Sequence, residues 1–164
     1  MGKQYSLDLN GADFDEIILN QHGDKIEISA DNARLFDRFA NGYDEIIKLS
    51  EEMPGRLEAV EKETADKDDI SKSVATSRVR VDFCEKGIGI IDSIFGEGTT
   101  KKVFRDDYEK DPDFLPDEDL FIAFFEKFAP IMEDIFDRKL KRQEKASKQR
   151  MAKYQPQDHK RKQK

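Results

Sequence analysis

The sequence predicts a mainly α protein with a small N-terminal β-hairpin or sheet, an α+β arrangement in which a helical, bundle-like body leads into a basic C-terminal tail. Three observations carry this reading. Apolar residues recur at three- and four-residue steps through long segments punctuated by Gly and Pro, the spacing of one face of a helix. The stretch before them instead alternates apolar and polar residues and breaks at Asn10-Gly11 and His22-Gly23, as strands joined by tight turns do. After Leu140 the apolar pattern stops and Lys and Arg take over. The predicted organisation is a β element over 1–29, a helical body of the same domain over 30–148, and a disordered basic tail over 149–164.

Tyr5-Ser-Leu-Asp-Leu9, Phe14 to Leu19 and Lys25-Ile-Glu-Ile28 are the strand-like runs, giving a two- or three-stranded element with His22-Gly23-Asp24 as its second turn. Ser29 or Asp31 then caps a helix whose apolar residues are Leu35, Phe36, Phe39, Tyr43, Ile46 and Ile47, and Pro54-Gly55 is expected to interrupt it. A charged helical stretch from Arg56 to Asp66 follows, with Leu57 and Val60 as its apolar anchors. The next helix places Ile70, Val74, Val81, Cys84, Ile88, Ile91 and Phe95 in one stripe, with Ser77 filling the gap. Gly87 and Gly89 within it either permit close packing or mark a bend.

Gly96-Glu-Gly98 stops that helix, since Gly adopts left-handed cap conformations without steric penalty. Thr99 or Thr100 caps a short helix ending near Phe104, and Asp106 to Pro116 reads as an acidic loop. Asp117 starts the last helix, with Glu118 and Asp119 favourably set against the positive end of its dipole. That helix carries Leu120, Phe121, Phe124, Phe125, Phe128, Ile131, Met132, Ile135, Phe136 and Leu140, an apolar face too broad for a coiled-coil seam and suited to more than one neighbour.

Composition narrows the function. At 164 residues and 19.0 kDa the chain fits one domain with a modest core. Charged residues, at 40%, outnumber hydrophobic ones, at 37%, so apolar material is confined to stripes, as in elongated or partner-stabilised chains. The net charge of -7 hides a division: residues 138–164 hold 12 Lys and Arg against Glu144 and Asp158, while the preceding body holds 17 basic against 34 acidic residues. The single cysteine, Cys84, excludes an internal disulfide framework and reads as a buried small hydrophobe. The N-terminus lacks an apolar signal region, and no segment reaches the ~18 continuous apolar residues of a membrane span, so no membrane association is expected and the protein should stay in the cytoplasm.

No constellation for catalysis emerges. The histidines are His22, in a turn, and His159, in the tail, and neither has an evident partner to aim it as a base. The acids Asp106, Asp107, Glu109, Asp111 and Asp113 lack the spacing of a calcium loop. Gly96-Glu-Gly98-Thr99-Thr100-Lys101-Lys102 lacks the phosphate-loop spacing, follows a helix rather than a strand, and carries Glu97 against any phosphate. The expectation is therefore a non-enzyme with no cofactor and no metal. The phenylalanines of the last helix are either core or a protein-binding face, and the basic tail is either a solvated helix end or a tether to a protein, since an acidic body repels nucleic acid.

The order of features resembles the small tail assembly chaperones of long-tailed, siphovirus-like bacteriophages of Gram-positive hosts. The residues that carry the resemblance are the opening Tyr5-Ser-Leu-Asp-Leu-Asn-Gly11, the segment Ile91-Asp-Ser-Ile-Phe-Gly-Glu-Gly-Thr-Thr-Lys-Lys-Val-Phe104, and the Phe-rich helix that runs into a Lys/Arg tail. The resemblance implies a chaperone of virion assembly, acting in the host cytoplasm and absent from the mature virion. Its implied partners are the tape-measure protein, which it would keep soluble, and the major tail protein, which it would recruit, with homo-oligomerisation open. On that basis Phe121, Phe124, Phe125, Phe128 and Ile131 are expected to contact protein partners, with Ile94, Phe95 and Phe104 positioning the adjacent turn. The competing expectations are a nucleic-acid-associated regulator acting through the basic tail and a structural virion component.

Overall fold

The computed structural model describes the backbone of residues 2–7 and 13–162, and side chains as far as Lys153. Strands β1 (Phe14–Ile18) and β2 (Lys25–Ser29) pair antiparallel, with Ile17 opposite Ile26 and Asp15 opposite Ile28. Alternation sends Ile17 and Ile28 into the core and leaves Phe14 and Ile18 exposed on the other face. The turn forms at the expected place. Gly23 takes a positive φ of 85°, and the Asn20 side chain accepts the His22 amide at 2.8 Å, a local bond for which Asn is suited. The predicted turn at Asn10-Gly11 lies outside the described residues, and residues 2–7 form no regular element.

Helix α1 spans Ala33–Glu63. Its cap is Asn32, whose side chain accepts the Leu35 amide at 3.2 Å, rather than Ser29 or Asp31. Ser29 is engaged one step earlier, accepting the Asp31 amide at 3.1 Å. Pro54 lies inside the helix and does not interrupt it, contrary to the expectation from sequence. A mid-helix proline costs about 3 kcal/mol, and packing on both sides of it holds the helix together. Met53 is buried, Arg56 bridges to Asp82 at 2.9 Å, and Thr64 closes the end with its hydroxyl donating to the Val60 carbonyl at 2.8 Å.

Helix α2 spans Asp69–Phe95 and is capped by Asp68, which accepts the Ser71 amide at 2.9 Å. It returns antiparallel along α1, so that Gly42 faces Ile90 and Ile94 while Arg56 reaches Asp82. Its buried residues are Val79, Phe83, Cys84, Gly87, Ile90, Ile91 and Ile94. The predicted stripe is therefore correct only towards the C-terminal end: Ile70, Val74 and Val81 are exposed. The last helix does not reach the start of α2, and periodicity alone cannot show where cover ends.

The glycine turn ends α2 as expected, with φ of 119° at Gly96 and 84° at Gly98. Helix α3 (Thr99–Val103) has Gly98 at its N-cap position, and neither threonine caps it. Asp92 does that work from the preceding helix, accepting the Gly98 amide at 3.2 Å and both the amide and hydroxyl of Thr100 at 2.9 Å. Helix α4 (Arg105–Lys110) occupies the first half of the segment expected to be an acidic loop. Asp106 and Asp107 sit in its first turn, where the helix dipole favours acids.

Helix α5 spans Glu118–Lys162, with Asp117 accepting the Leu120 amide at 2.9 Å. It remains helical beyond Tyr154, where the sequence predicts loss of order. The stretch from Lys141 to Lys153 is dominated by Lys, Arg, Gln, Ala and Met, all strong helix formers that need no packing partner to favour the helix. The first half of α5 lies against α1 and α2. Phe121 packs on Phe83 with ring centroids 5.9 Å apart, Phe125 on Phe39 at 5.4 Å, and Phe128 on Phe95 at 4.7 Å. Gly87 makes this approach possible, because a Cβ there would sit 2.7 Å from the Phe121 ring. The resulting bundle with its small hairpin is the mainly α fold the sequence predicts.

Candidate protein-interaction surfaces

Phe121, Phe124, Phe125 and Phe128, expected to form a contact face, are buried, with Phe121 and Phe125 at 0% exposure. They line the seam that joins α5 to the helical hairpin, and Ile94, also buried, seals the far side against Gly42. Phe95 stacks within the same cluster, 5.8 Å from Phe124. Phe104 turns away from it to meet Phe114 at 6.1 Å. Ile131 alone of the expected α5 contact residues is exposed. The physical reason is the breadth of the face: a helix inserted between two others is apolar on both flanks for the sake of its own fold.

The surface left over from that packing is a groove between α1 and α5 of about 330 Å³, lined by Phe36, Tyr43, Asp44, Met132, Glu133 and Phe136 among others. Phe36 and Phe136 meet across it at 5.0 Å, and Phe136 remains 41% exposed. Asp44 and Glu133 make its margin acidic. Such a groove suits the apolar face of a helix with basic flanks. Phe36 and Tyr43 are legible in the sequence only as members of the α1 stripe; that they line an open groove depends on where α5 stops covering them.

Polar contacts hold the hairpin at both ends. At its turn, the Asn20 side chain donates to the Lys102 carbonyl at 2.7 Å, the His22 ring meets Asp106 at 2.7 Å, and Arg105 reaches Asp24 at 3.1 Å. Asp24 is held below the ordinary carboxylate range by hydrogen bonds from Asn20 and then Arg105, and Asp106 is lowered by its hydrogen bond from His22. At the other end α5 supplies Arg138 to Asp15 at 3.2 Å, Arg142 to Asp13 at 2.7 Å, and Lys139 to Asp31. The first cations of the basic tail are thus engaged by acids of the same chain. This pairing could not be read from charge segregation alone.

The features that invite a chemical reading have structural explanations. Near Gly98 the backbone donors that would cradle a phosphate are occupied by the Asp92 carboxylate. His22, Asp106 and Glu109 bring ligand-type atoms within 4.8 Å of one another. Glu109 is, however, paired with Arg105 at 2.9 Å, a cation that competes with any metal, and His22 and Asp106 already bond to each other. Cys84 is buried and donates to the Pro116 carbonyl at 3.0 Å, and burial raises its thiol pKa, the opposite of an activated nucleophile. No helix among the described residues is long and apolar enough to cross a membrane. Compared with known protein families, curated proteins and solved structures, the chain matches none of them.

Proposed function

We propose that this chain is a non-enzymatic tail assembly chaperone of a long-tailed bacteriophage, one that binds the tape-measure protein and helps recruit the major tail protein in the host cytoplasm. The observation that carries the reading is the acidic-margined groove of Phe36, Tyr43, Met132 and Phe136, which lies along the Phe-rich helix on which the family resemblance rests. A tape-measure chain rich in amphipathic helices presents the kind of apolar stripe such a groove receives. The role expected of Phe121, Phe124, Phe125 and Phe128 passes to the residues that line this groove.

Co-expression with a tape-measure protein, followed by pull-down and mass spectrometry of purified particles, tests this. Stoichiometric capture that is lost in Phe136→Ser, together with absence of the protein from mature particles, supports the chaperone. Presence in particles favours a structural component instead. A second reading draws on the exposed basic face of α5 from Lys141 to Lys153, which suits phosphate contacts. It predicts nucleic-acid retention that weakens steeply with salt and vanishes on truncation after Asp137.

A further inference from the structure

The hairpin leaves one strand edge unused. The Leu19 amide donates to the Asp24 carbonyl at 2.7 Å, which sets the phase of the antiparallel ladder. Asp15 and Ile17 turn their backbone groups to β2, and Phe14, Glu16 and Ile18 turn theirs outwards. Among the described residues no further backbone hydrogen bond engages those outward N–H and C=O groups, and no element except β2 runs beside β1. On the opposite edge, by contrast, the Ser29 carbonyl already accepts the Asn32 amide at 3.1 Å. The same chain carries a strand-like segment that is equally unused. From Gln4 to Leu7 polar and apolar residues alternate, and no backbone hydrogen bond or ion pair among the described residues engages residues 3–7. Tyr5 and Leu7 are 86% and 81% exposed, and so are Phe14 and Ile18 of β1, at 59% and 70%.

We propose that two copies of this chain exchange these segments, residues 3–7 of each adding as a third, antiparallel strand to the β1 edge of the other. Within one chain the segment and the edge stay apart, and a reciprocal exchange satisfies both of them twice. The register follows from the side chains. Tyr5 opposite Phe14 places Lys3 opposite Glu16, an aromatic pair and an opposite-charge pair, with Tyr5 and Leu7 on the outer face. Both pairs fall where the backbone groups of β1 point outwards, so each exchanges N–H and C=O bonds. Gln4 and Ser6 then face inwards beside Asp15 and Asp13, whose charges Arg138 and Arg142 already hold. A slip of two residues in one direction sets Asp8 against Asp13, and in the other carries Tyr5 past the start of β1. A slip of one turns Tyr5 and Leu7 to the inner face, against those acids. Charge on the outer face agrees with this choice. Glu16 and Glu27 oppose each other across the ladder with one cation between them, Lys25, which bridges to Glu16 at 2.7 Å. Glu27 is in no ion pair among the described residues, nor is Arg38 across the crevice from it, so Lys3 offsets an acidic excess on the strand pair. The contact is smaller than the roughly 800 Å² per partner of a standard interface, so the dimer is a weak one. The inference is independent of the chaperone reading, because it concerns the hairpin and not the α1/α5 groove.

Sedimentation equilibrium of the full chain, from about 5 µM to about 500 µM, spans the weak-affinity range that decides the matter. The expected result is a monomer at the dilute end and a dimer at the concentrated end. Tyr5→Pro removes one of the exchanged backbone donors and should weaken the dimer at least tenfold. Its position lies outside the packed body, so circular dichroism should be unchanged. Residues opposite each other in such a ladder have Cα atoms about 5.5 Å apart, within disulfide reach. Tyr5→Cys and Phe14→Cys chains, mixed at the concentrated end and oxidised, should therefore give a linked heterodimer, whereas Tyr5→Cys with Ile18→Cys should not. A chain that is monomeric throughout, a dimer indifferent to Tyr5→Pro, or cross-linking to Ile18→Cys in preference to Phe14→Cys would overturn the proposal. So would a double variant, Tyr5→Cys with Phe14→Cys, that closes the disulfide within one chain.

Discussion

Gly87 and Gly89 stand two positions apart within α2, and replacing each by alanine should move stability in opposite directions. In both cases alanine removes the helix-propensity penalty of glycine, a gain of up to about 1 kcal/mol. At Gly89 nothing lies within 4 Å of the new Cβ, so the gain is realised. At Gly87 the new Cβ would lie 2.7 Å from two atoms and 2.9 Å from a third on the Phe121 ring, and that ring is fully buried against Phe83. Neither can yield without moving α5. Overpacking of this kind costs about 1–3 kcal/mol and sometimes more, which outweighs the propensity gain and leaves Gly87→Ala destabilised by roughly 1–2 kcal/mol. The two variants should therefore differ by about 2–3 kcal/mol, or roughly 5–10 °C in Tm for a chain of this size. Urea unfolding followed at the helical circular dichroism band measures both on one scale. Equal stabilisation of the two would refute the seating of Phe121 on Gly87, and with it the placement of α5 on α2.

Other consequences can be checked in the same way. Asp92→Ala removes the carboxylate's three bonds across the glycine turn and leaves the buried Thr100 hydroxyl without its partner, so a loss of about 2–3 kcal/mol is expected in urea unfolding. Phe124→Ser and Phe128→Ser vacate the core seam and should each cost about 3–5 kcal/mol, so weakened partner binding in them would reflect unfolding, which thermal melts will reveal. Asp24 and Asp106 have lowered pKa values in the fold. Their contribution is present above the unfolded value of about 3.9 and disappears as pH falls through the lower folded value. Amide protection factors across β1 and β2, referred to the intrinsic exchange rate at each pH, should therefore fall below about pH 4, with the α1–α2 core less affected. Replacing Arg138, Lys139 and Arg142 by Gln breaks the ion pairs to Asp15, Asp31 and Asp13 and should loosen the hairpin to proteolysis with little change in global stability, since exposed pairs are individually weak.

Much of this molecule is local, and local features are legible in a linear sequence. The hairpin turn at His22-Gly23, the stop at Gly96 and Gly98, and the cap at Asp117 depend on residues within a few positions of one another, and backbone sterics and capping bonds decide them. The sequence also determined the helical class, because the apolar spacing fits only that period over these lengths. What it could not determine is which neighbour each face meets. Pro54 stays helical because Met53 and the Arg56–Asp82 bridge hold both sides of it, a contact between helices. The phenylalanines of α5 are core, and Ile70, Val74 and Val81 are surface, because α5 covers one half of α2 and not the other. His22 meets Asp106, and the first cations of the tail meet acids of the hairpin, across most of the chain length. Periodicity specifies that a face will be buried or paired, while burial itself is a property of two surfaces, and the second surface is fixed only once the chain has folded.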